Sequence, residues 1–272
     1  MITDTAIAAY REREEATFRA ANPKAAALAG QADGWFQGVP FHWMLDWPSP
    51  FPLVAAKAEA VVLTTVDGRT LDDFCLGDTA SMFGHSPSPL ADALAQQASK
   101  GLSYMLPTAI GAELGEMLRA TFQMPHWQVT TTASEANRAV IRWCRGMTGR
   151  KKILIFNGCY HGSVDDVFVD LRGGVPTMRQ SLIGQVQDIL PTTEVIEFND
   201  VDALKAALAK QDIACVLAEP VMTNVGMVRE APGYLDLLRQ VTRDTGTLLV
   251  FDETHTISSG FGGHSNVHGP RG

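Results

Sequence analysis

Apolar and polar positions change rhythm along the chain, and each change predicts a different kind of element. Residues 5–29 mix Ala, Glu and Arg with scattered apolar positions, a pattern that favours one or two helices broken near Asn22-Pro23. From residue 34 to 52 the chain turns to Trp35, Phe36, Phe41, Trp43, Trp47 and Phe51 spaced by prolines and glycines, which neither a helix nor a central strand accommodates. This predicts a long loop anchored by its aromatic side chains, with a wall facing a substrate as the alternative. Residues 61–66 and 70–74 flank Asp67-Gly68, a dipeptide suited to the positive φ angles of a tight turn, so a β-hairpin is expected there. Ser88-Pro89 marks a helix start running through residues 90–98, and a second helix is expected over 110–122.

From there the pattern becomes regular. A strand at 127–131, a helix at 134–147, a strand at 152–156 and a long irregular link come first. A strand at 194–198, a helix at 201–209, a strand at 213–217, a helix at 234–245 and a strand at 248–251 follow. This alternation predicts an α/β fold with a mostly parallel sheet and helices on both faces. In the last strand Leu248, Leu249, Val250 and Phe251 run straight into Asp252 and Glu253, as a buried strand does when it delivers acids to the rim of a sheet. Ligands bind at that rim, which ties Asp252 to function; a capping Asp that merely begins a loop is the plainer reading.

Composition narrows the function classes. The chain has 272 residues, 46% of them hydrophobic, enough for one large α/β domain or two ordinary ones. Its net charge is −8 and its longest basic run is Lys151-Lys152, so the electrostatic footprint of a nucleic-acid partner is absent. Cys75, Cys144, Cys159 and Cys215 are far apart and form no C-x-x-C pair, which suggests reduced thiols and a cytoplasmic protein. The first eighteen residues lack the apolar stretch of a signal peptide, and no apolar run reaches membrane-spanning length, so no membrane partner is expected.

Three stretches carry candidate chemistry. VTTTASEAN (129–137) takes a strand into a helix through small hydroxyl residues. Thr132, Ala133 and Ser134 would sit where first-turn N–H groups make an anion site fit for phosphate, or Ser134 would be a plain N-cap. NGCYHG (157–162) follows an apolar strand, and its glycines allow close backbone approach while presenting Tyr160 and His161 at the rim. Tyr160 could stack on a flat cofactor, or the segment could be an ordinary turn with a hydrogen-bonded histidine. Asp252 completes the set, because a carboxylate beside an aromatic heterocycle keeps a ring nitrogen protonated and the ring a good electron sink. A phosphate cradle, a stacking ring and a ring-nitrogen partner together fit pyridoxal 5'-phosphate. A metal site from Asp252, Glu253, His255, His264 and His268 is not expected, because GFGGHSNVHG reads as too glycine-rich to hold His264 and His268 on one helical face.

The motifs VDGRTLDDF (66–74), FGHSPSPL (83–90), TTTASEANRA (130–139), GCYHG (158–162), AEPV (218–221) and LLVFDE (248–253) occur in order over roughly residues 51–263. In them the chain resembles a class III aminotransferase of the pyridoxal-phosphate fold type I, in the branch that includes glutamate-1-semialdehyde aminomutase. The resemblance implies that Thr132, Ala133 and Ser134 hold the cofactor phosphate, Tyr160 stacks on the ring, and Asp252 pairs with its nitrogen. It places Thr254 against the opposite ring face and His161 and Glu219 near the pocket. It implies a small-molecule amino donor, a keto acid or aldehyde acceptor, and a homodimer in the full-length form. Two positions depart from the family: Ala133 stands where Gly is usual, and His255 replaces Gln or Met.

The family's Schiff-base lysine follows the aspartate, whereas the last lysine here is Lys210. The expectation is therefore an N-terminal portion of such an enzyme. Residues 1–75 would be an arm and hairpin belonging to the small domain, and residues 76–272 a cofactor-binding large domain cut before that lysine. The expected function is amino-group transfer, with this piece inactive alone. The alternatives are a glutamate-1-semialdehyde 2,1-aminomutase-type isomerase and a non-catalytic cofactor-binding or dimerising module.

Overall fold

The structure is a computed structural model and describes residues 3–269. It divides into two compact units, one up to Met105 and one from Leu106 onward.

In the first unit, helix α1 (Asp4–Ala21) begins where Thr3 Oγ1 accepts the amide of Ala6, and it stops at Asn22, whose side chain donates back to Phe18 O at 2.8 Å. Helix α2 (Pro23–Ala29) restarts the chain at once, as Asn22-Pro23 predicts. The hairpin is present as β2 (Val62–Thr65) and β3 (Thr70–Asp72), extended by an antiparallel strand that the sequence did not announce, β1 (Ala55–Glu59). In its turn Gly68 takes the positive φ, whereas Asp67 serves α2, its carboxylate accepting Lys24 N at 2.8 Å and Ala25 N at 3.1 Å. The aromatic segment is less anchored than expected. Phe51 is buried against Phe18, but Trp35, Phe36, Phe41, Trp43 and Trp47 stay exposed, with Phe41 and Trp43 stacked on each other at 5.6 Å. Helix α3 (Ser88–Ala98) closes the unit.

The second unit holds helices α4 (Ala109–Phe122) and α5 (Ala133–Thr148), then strand β4 (Lys152–Phe156). The link expected to be irregular contains a hairpin, β5 (Val169–Arg172) and β6 (Val175–Met178), closed by Gly173-Gly174 with φ of +59° and +78°. There follow β7 (Thr193–Ile196), α6 (Val201–Leu208), β8 (Ile213–Ala218), α7 (Tyr234–Asp244), β9 (Leu248–Phe251) and α8 (Gly263–His268). Residues 127–131 form no strand: among the described residues this segment finds no neighbour with which to exchange a hydrogen-bond ladder.

The main sheet has the order β7-β4-β8-β9, with every pairing parallel. All six residues of β8 are buried, and since successive side chains of a strand point to opposite faces, both faces of the sheet are covered there. The apolar core runs through β4, β7 and β8 with the inner stripes of α5, α6 and α7. This arrangement gathers the carboxyl ends of β4, β8 and β9 at one rim. Among the described residues no helix is long and apolar enough to cross a membrane.

Candidate active site

At that rim lies a cavity of about 150 Å³, enclosed by the start of α5, the loop after β4 and the segments that leave β8 and β9. Strand β9 delivers Asp252 to its floor, and the backbone register continues one step beyond the strand, Asp252 N donating to Ala218 O at 2.8 Å. Asp252 is 9% exposed and four donors converge on its carboxylate. Asn137 Nδ2 donates to Oδ2 at 2.8 Å and His161 Nδ1 stands 2.9 Å from the same oxygen. Thr254 donates to Oδ1 from its amide at 3.0 Å and from its hydroxyl at 2.5 Å. Burial alone would make this group a weaker acid, but the hydrogen bonds from His161 and Thr254 and the imidazolium charge outweigh it, so the carboxyl is held well below its usual range. The opposite holds for His161. Burial pushes its imidazole toward neutrality, yet the Cys159 sulfur and the Asp252 carboxylate more than offset that and raise it to about 10. Asp252 and His161 therefore form a buried ion pair under the cavity.

Asn137 locks this pair. Its amide donates to His161 O at 3.0 Å as well as to Asp252, tying α5, one turn past its start, to the loop after β4 and to the end of β9. Tyr160, 51% exposed, lines the cavity while its amide donates to Glu219 Oε1 at 3.3 Å. Glu219, buried at the end of β8, also accepts the amide of Thr223 at 3.1 Å and its hydroxyl at 3.0 Å. Thr223 Oγ1 lies 3.1 Å from His255 Nδ1.

The opposite end of the cavity is the start of α5. Thr132 is the N-cap, its hydroxyl accepting Glu135 N at 3.2 Å, and Glu135 reaches back to accept the amide of Thr131 at 3.1 Å and its hydroxyl. These hydrogen bonds from Thr131 hold the Glu135 carboxyl below its ordinary value, and together with the Thr132 cap they make a variant of the capping box in which the returning bond is taken from the residue before the N-cap. Ala133 and Ser134 follow, and both line the cavity with first-turn amides that have no acceptor within the helix. Ser134 is not the N-cap: its Oγ accepts Ser163 N at 2.9 Å, joining the helix start to the loop that carries Tyr160 and His161. Gly162 permits that contact. It has a φ of +80°, and a Cβ placed on it would lie 2.1 Å from Ser134 Oγ.

Of the residues expected from the sequence, Ala133, Ser134, Tyr160, His161, Glu219, Asp252 and Thr254 all line this cavity. Thr132 does not; it caps the helix behind it. The cavity also recruits Gly162, Thr223, Asn224, His255 and Thr256, and Asn137 stands beneath it. His264 and His268 depart from expectation. They share a face of α8 with ring centroids 5.1 Å apart, because Glu253 caps that short helix, accepting His264 N at 2.6 Å and Ser265 N at 3.1 Å. Among the described residues no group of three His, Cys, Asp or Glu side chains is placed to hold a metal.

Comparison with known proteins places this geometry. The family model for aminotransferase class-III matches residues 45–266. Glutamate-1-semialdehyde 2,1-aminomutase of Methanosphaera stadtmanae is 36% identical over 210 residues, which cover 76% of this chain and 49% of that protein. A crystal structure of a glutamate-1-semialdehyde-aminomutase from Pseudomonas aeruginosa PAO1 superposes with a TM-score of 0.92 at 44% identity, over 96% of this chain and 58% of that one. A lysine-to-alanine form from the same organism, in complex with PMP, matches equally well, with a TM-score of 0.92. An omega-transaminase from Sphaerobacter thermophilus follows with a TM-score of 0.81 at 30% identity, over 89% of this chain and 57% of that one. The chain thus spans about half the length of the curated relatives it matches.

Proposed function

The chain belongs to the class III aminotransferases, and from that premise we propose that its cavity holds pyridoxal phosphate and that the full-length protein uses it to move amino groups among small amino and carbonyl compounds. The observation that carries the proposal is the ionised Asp252 on the cavity floor, opposite a helix start. A residue set made for this cofactor needs a permanent anion for the ring nitrogen, a flat side chain for the ring and N–H donors for the phosphate. Asp252, Tyr160 and the amides of Ala133 and Ser134 answer those needs in turn.

The fit has one condition. All four lone-pair positions of Asp252 already receive donors, so a ring N–H requires one to withdraw. The hydroxyl of Thr254 is the donor free to rotate; His161 and Asn137 are held in the packed interior, and the Thr254 amide belongs to the backbone. When bound, the protonated ring draws off negative charge that develops on the substrate carbon beside nitrogen. The chain's own part is electrostatic and positional: His161 keeps Asp252 charged, Asn137 fixes its orientation, and Tyr160 limits the ring's tilt.

Among amino-group reactions we favour migration within one molecule over transfer between two. The support is that the relatives at 36% and 44% identity are named as aminomutases, while the omega-transaminase stands at 30%. The reading extends to an amino aldehyde as substrate, to a second copy of the full-length protein as partner, and to a reducing compartment, in keeping with four free cysteines of which three are buried.

Two measurements test this. The 272-residue chain mixed with pyridoxamine phosphate should bind it in a one-to-one complex, and Asp252→Asn should weaken that binding by about tenfold, the scale of one charge-assisted hydrogen bond. Equal binding by the variant would remove Asp252 from the cofactor site. For the full-length protein, an amino aldehyde should isomerise without any keto acid; strict dependence on an added keto acid would establish transfer instead.

A further inference from the structure

The hairpin β5–β6 reaches the cavity through one side chain. Its ladder runs one pair beyond the strands, with Arg179 N donating to Phe168 O at 2.8 Å, and Asp170 pairs with Thr177. Alternate positions of a strand share a face, so Arg179 and Asp170 are diagonal neighbours and Phe168 lies opposite Arg179. Arg179 engages both: its Nε and Nη2 donate to Asp170 Oδ1 at 2.9 and 2.7 Å, and its guanidinium lies 5.5 Å from the centre of the Phe168 ring. Held in this way, Arg179 sends the other Nη2 hydrogen to Cys159 O at 3.1 Å. That carbonyl belongs to the same peptide unit as the amide of Tyr160, which donates to Glu219 Oε1 at 3.3 Å. A guanidinium on the C=O and a carboxylate on the N–H thus grip one peptide from its two ends. The unit is planar and cannot turn without breaking both charge-assisted bonds, and its orientation sets φ at Tyr160, hence the direction in which that side chain leaves the backbone.

We propose that Arg179 is a positioning residue for Tyr160: through the Cys159–Tyr160 peptide it fixes the aromatic side chain that lines the cavity. Asp170 aims the guanidinium, and the hairpin that carries both residues is the support of that wall. A second bond joins the hairpin to the same loop, Asn157 Oδ1 accepting Leu171 N at 2.8 Å. Cys159 is buried whereas Tyr160 is half exposed, so packing alone does not hold the tyrosine and the clamp on its backbone must. The consequence for ligand binding rests on the cofactor reading above; the positioning itself does not.

The experiment has one arm without ligand and one with it. In the ligand-free chain labelled with 3-fluorotyrosine, each of the four tyrosines gives a ¹⁹F signal, and that of Tyr160 is assigned by its loss in Tyr160→Phe. Arg179→Met should shift or broaden the Tyr160 signal while those of Tyr10 and Tyr104, which belong to the first unit, stay in place. An unmoved Tyr160 signal overturns the proposal. Should Arg179→Met unfold the chain, Asp170→Asn, which keeps the arginine but loosens its aim, is read by the same criterion. In the second arm Tyr160→Ala should weaken the binding of pyridoxamine phosphate by about tenfold, the upper scale of one aromatic contact, and Arg179→Met by about threefold. In the Tyr160→Ala background Arg179→Met should bring no further loss, because the side chain it positions is gone. An equal loss in both backgrounds overturns the proposal, since a general support of the hairpin would act whether or not the ring is there. If the unaltered chain fails to bind pyridoxamine phosphate while Arg179→Met moves the Tyr160 signal, the cofactor reading falls and the positioning stands; binding with an unmoved signal sinks the positioning alone.

Discussion

A carboxylate and an imidazole buried together are costly unless each keeps the other charged, and the pairing of Asp252 with His161 therefore has a pH signature. His161 is raised from 6.5 to about 10, so its contribution to stability is complete below its unfolded value and is lost as pH rises through the folded one. Asp252 is lowered from 3.8, so its contribution is present above that value and is lost as pH falls toward the folded one. The pair stabilises fully between these unfolded values, in mildly acidic solution. The stability gap between the unaltered chain and His161→Gln, read by urea unfolding, should be widest near pH 5.5 and shrink by about pH 9.5; a gap constant across that range would mean the histidine is not charged in the fold. Gly162 offers a steric test nearby. An alanine there meets a φ of +80° and a Cβ position 2.1 Å from Ser134 Oγ, so Gly162→Ala should cost about 1–3 kcal/mol in urea unfolding and loosen the seam between α5 and the loop after β4. Asp252, Tyr160 and Ala133 were legible in the sequence because each sits where a strand or turn changes composition abruptly. Asn137 was not: an asparagine one turn into a helix gives no local sign that it will be buried and bonded across 115 residues to a strand end.

Elements were legible where their own residues decide them and hidden where a partner decides. The amphipathic stripes of α5, α6 and α7 and the apolar runs of β4, β8 and β9 carry their period in the sequence, and the structure has each within a few residues of expectation. Residues 127–131 read as a strand but form none, because a ladder needs a neighbour as well as a propensity. The β5–β6 hairpin was missed for a complementary reason: its strands are four residues each, too short for a period to show, with Val175, Pro176 and Met178 exposed, and only the Gly173-Gly174 turn marks it. Arg150 illustrates how elements that look independent are joined. After α5 ends, its guanidinium donates to Ile213 O at 3.0 Å, to Gly246 O at 3.2 Å and Thr247 Oγ1 at 3.2 Å, and to Thr245 O at 2.8 Å. One side chain thus closes the amino ends of β8 and β9 and the carboxyl end of α7, opposite the rim that bears the cavity. Arg150→Ala should destabilise by about 1.5–3 kcal/mol in urea unfolding, and Arg150→Lys should recover little, because an ammonium cannot span acceptors set out for a fork. Full recovery by lysine would show that charge alone matters at this position.

Across the whole molecule the candidate site is a product of assembly. Its walls come from the start of α5 (Ala133, Ser134), the loop after β4 (Tyr160 to Gly162), the segment after β8 (Glu219, Thr223, Asn224) and the segment after β9 (Asp252, Thr254 to Thr256), pieces far apart in the sequence and brought together only when four parallel strands are in register. An unfolded chain has no such site, so a ligand that fits it must bind the folded state alone and raise stability by mass action. Pyridoxamine phosphate at a hundred times its dissociation constant should add about 2.7 kcal/mol, and each further tenfold in concentration about 1.4 kcal/mol more. That slope is the informative quantity, since a nonspecific anion effect saturates or follows ionic strength instead. Inorganic phosphate at matched ionic strength should engage only the start of α5 and give a smaller rise. In Asp252→Asn the slope should persist but begin at a higher concentration, whereas Arg150→Ala, at the far edge of the sheet, should lower the starting stability without moving that onset. If pyridoxamine phosphate and inorganic phosphate stabilised the chain equally, the ring-binding half of the site would be refuted while the helix-start half stood.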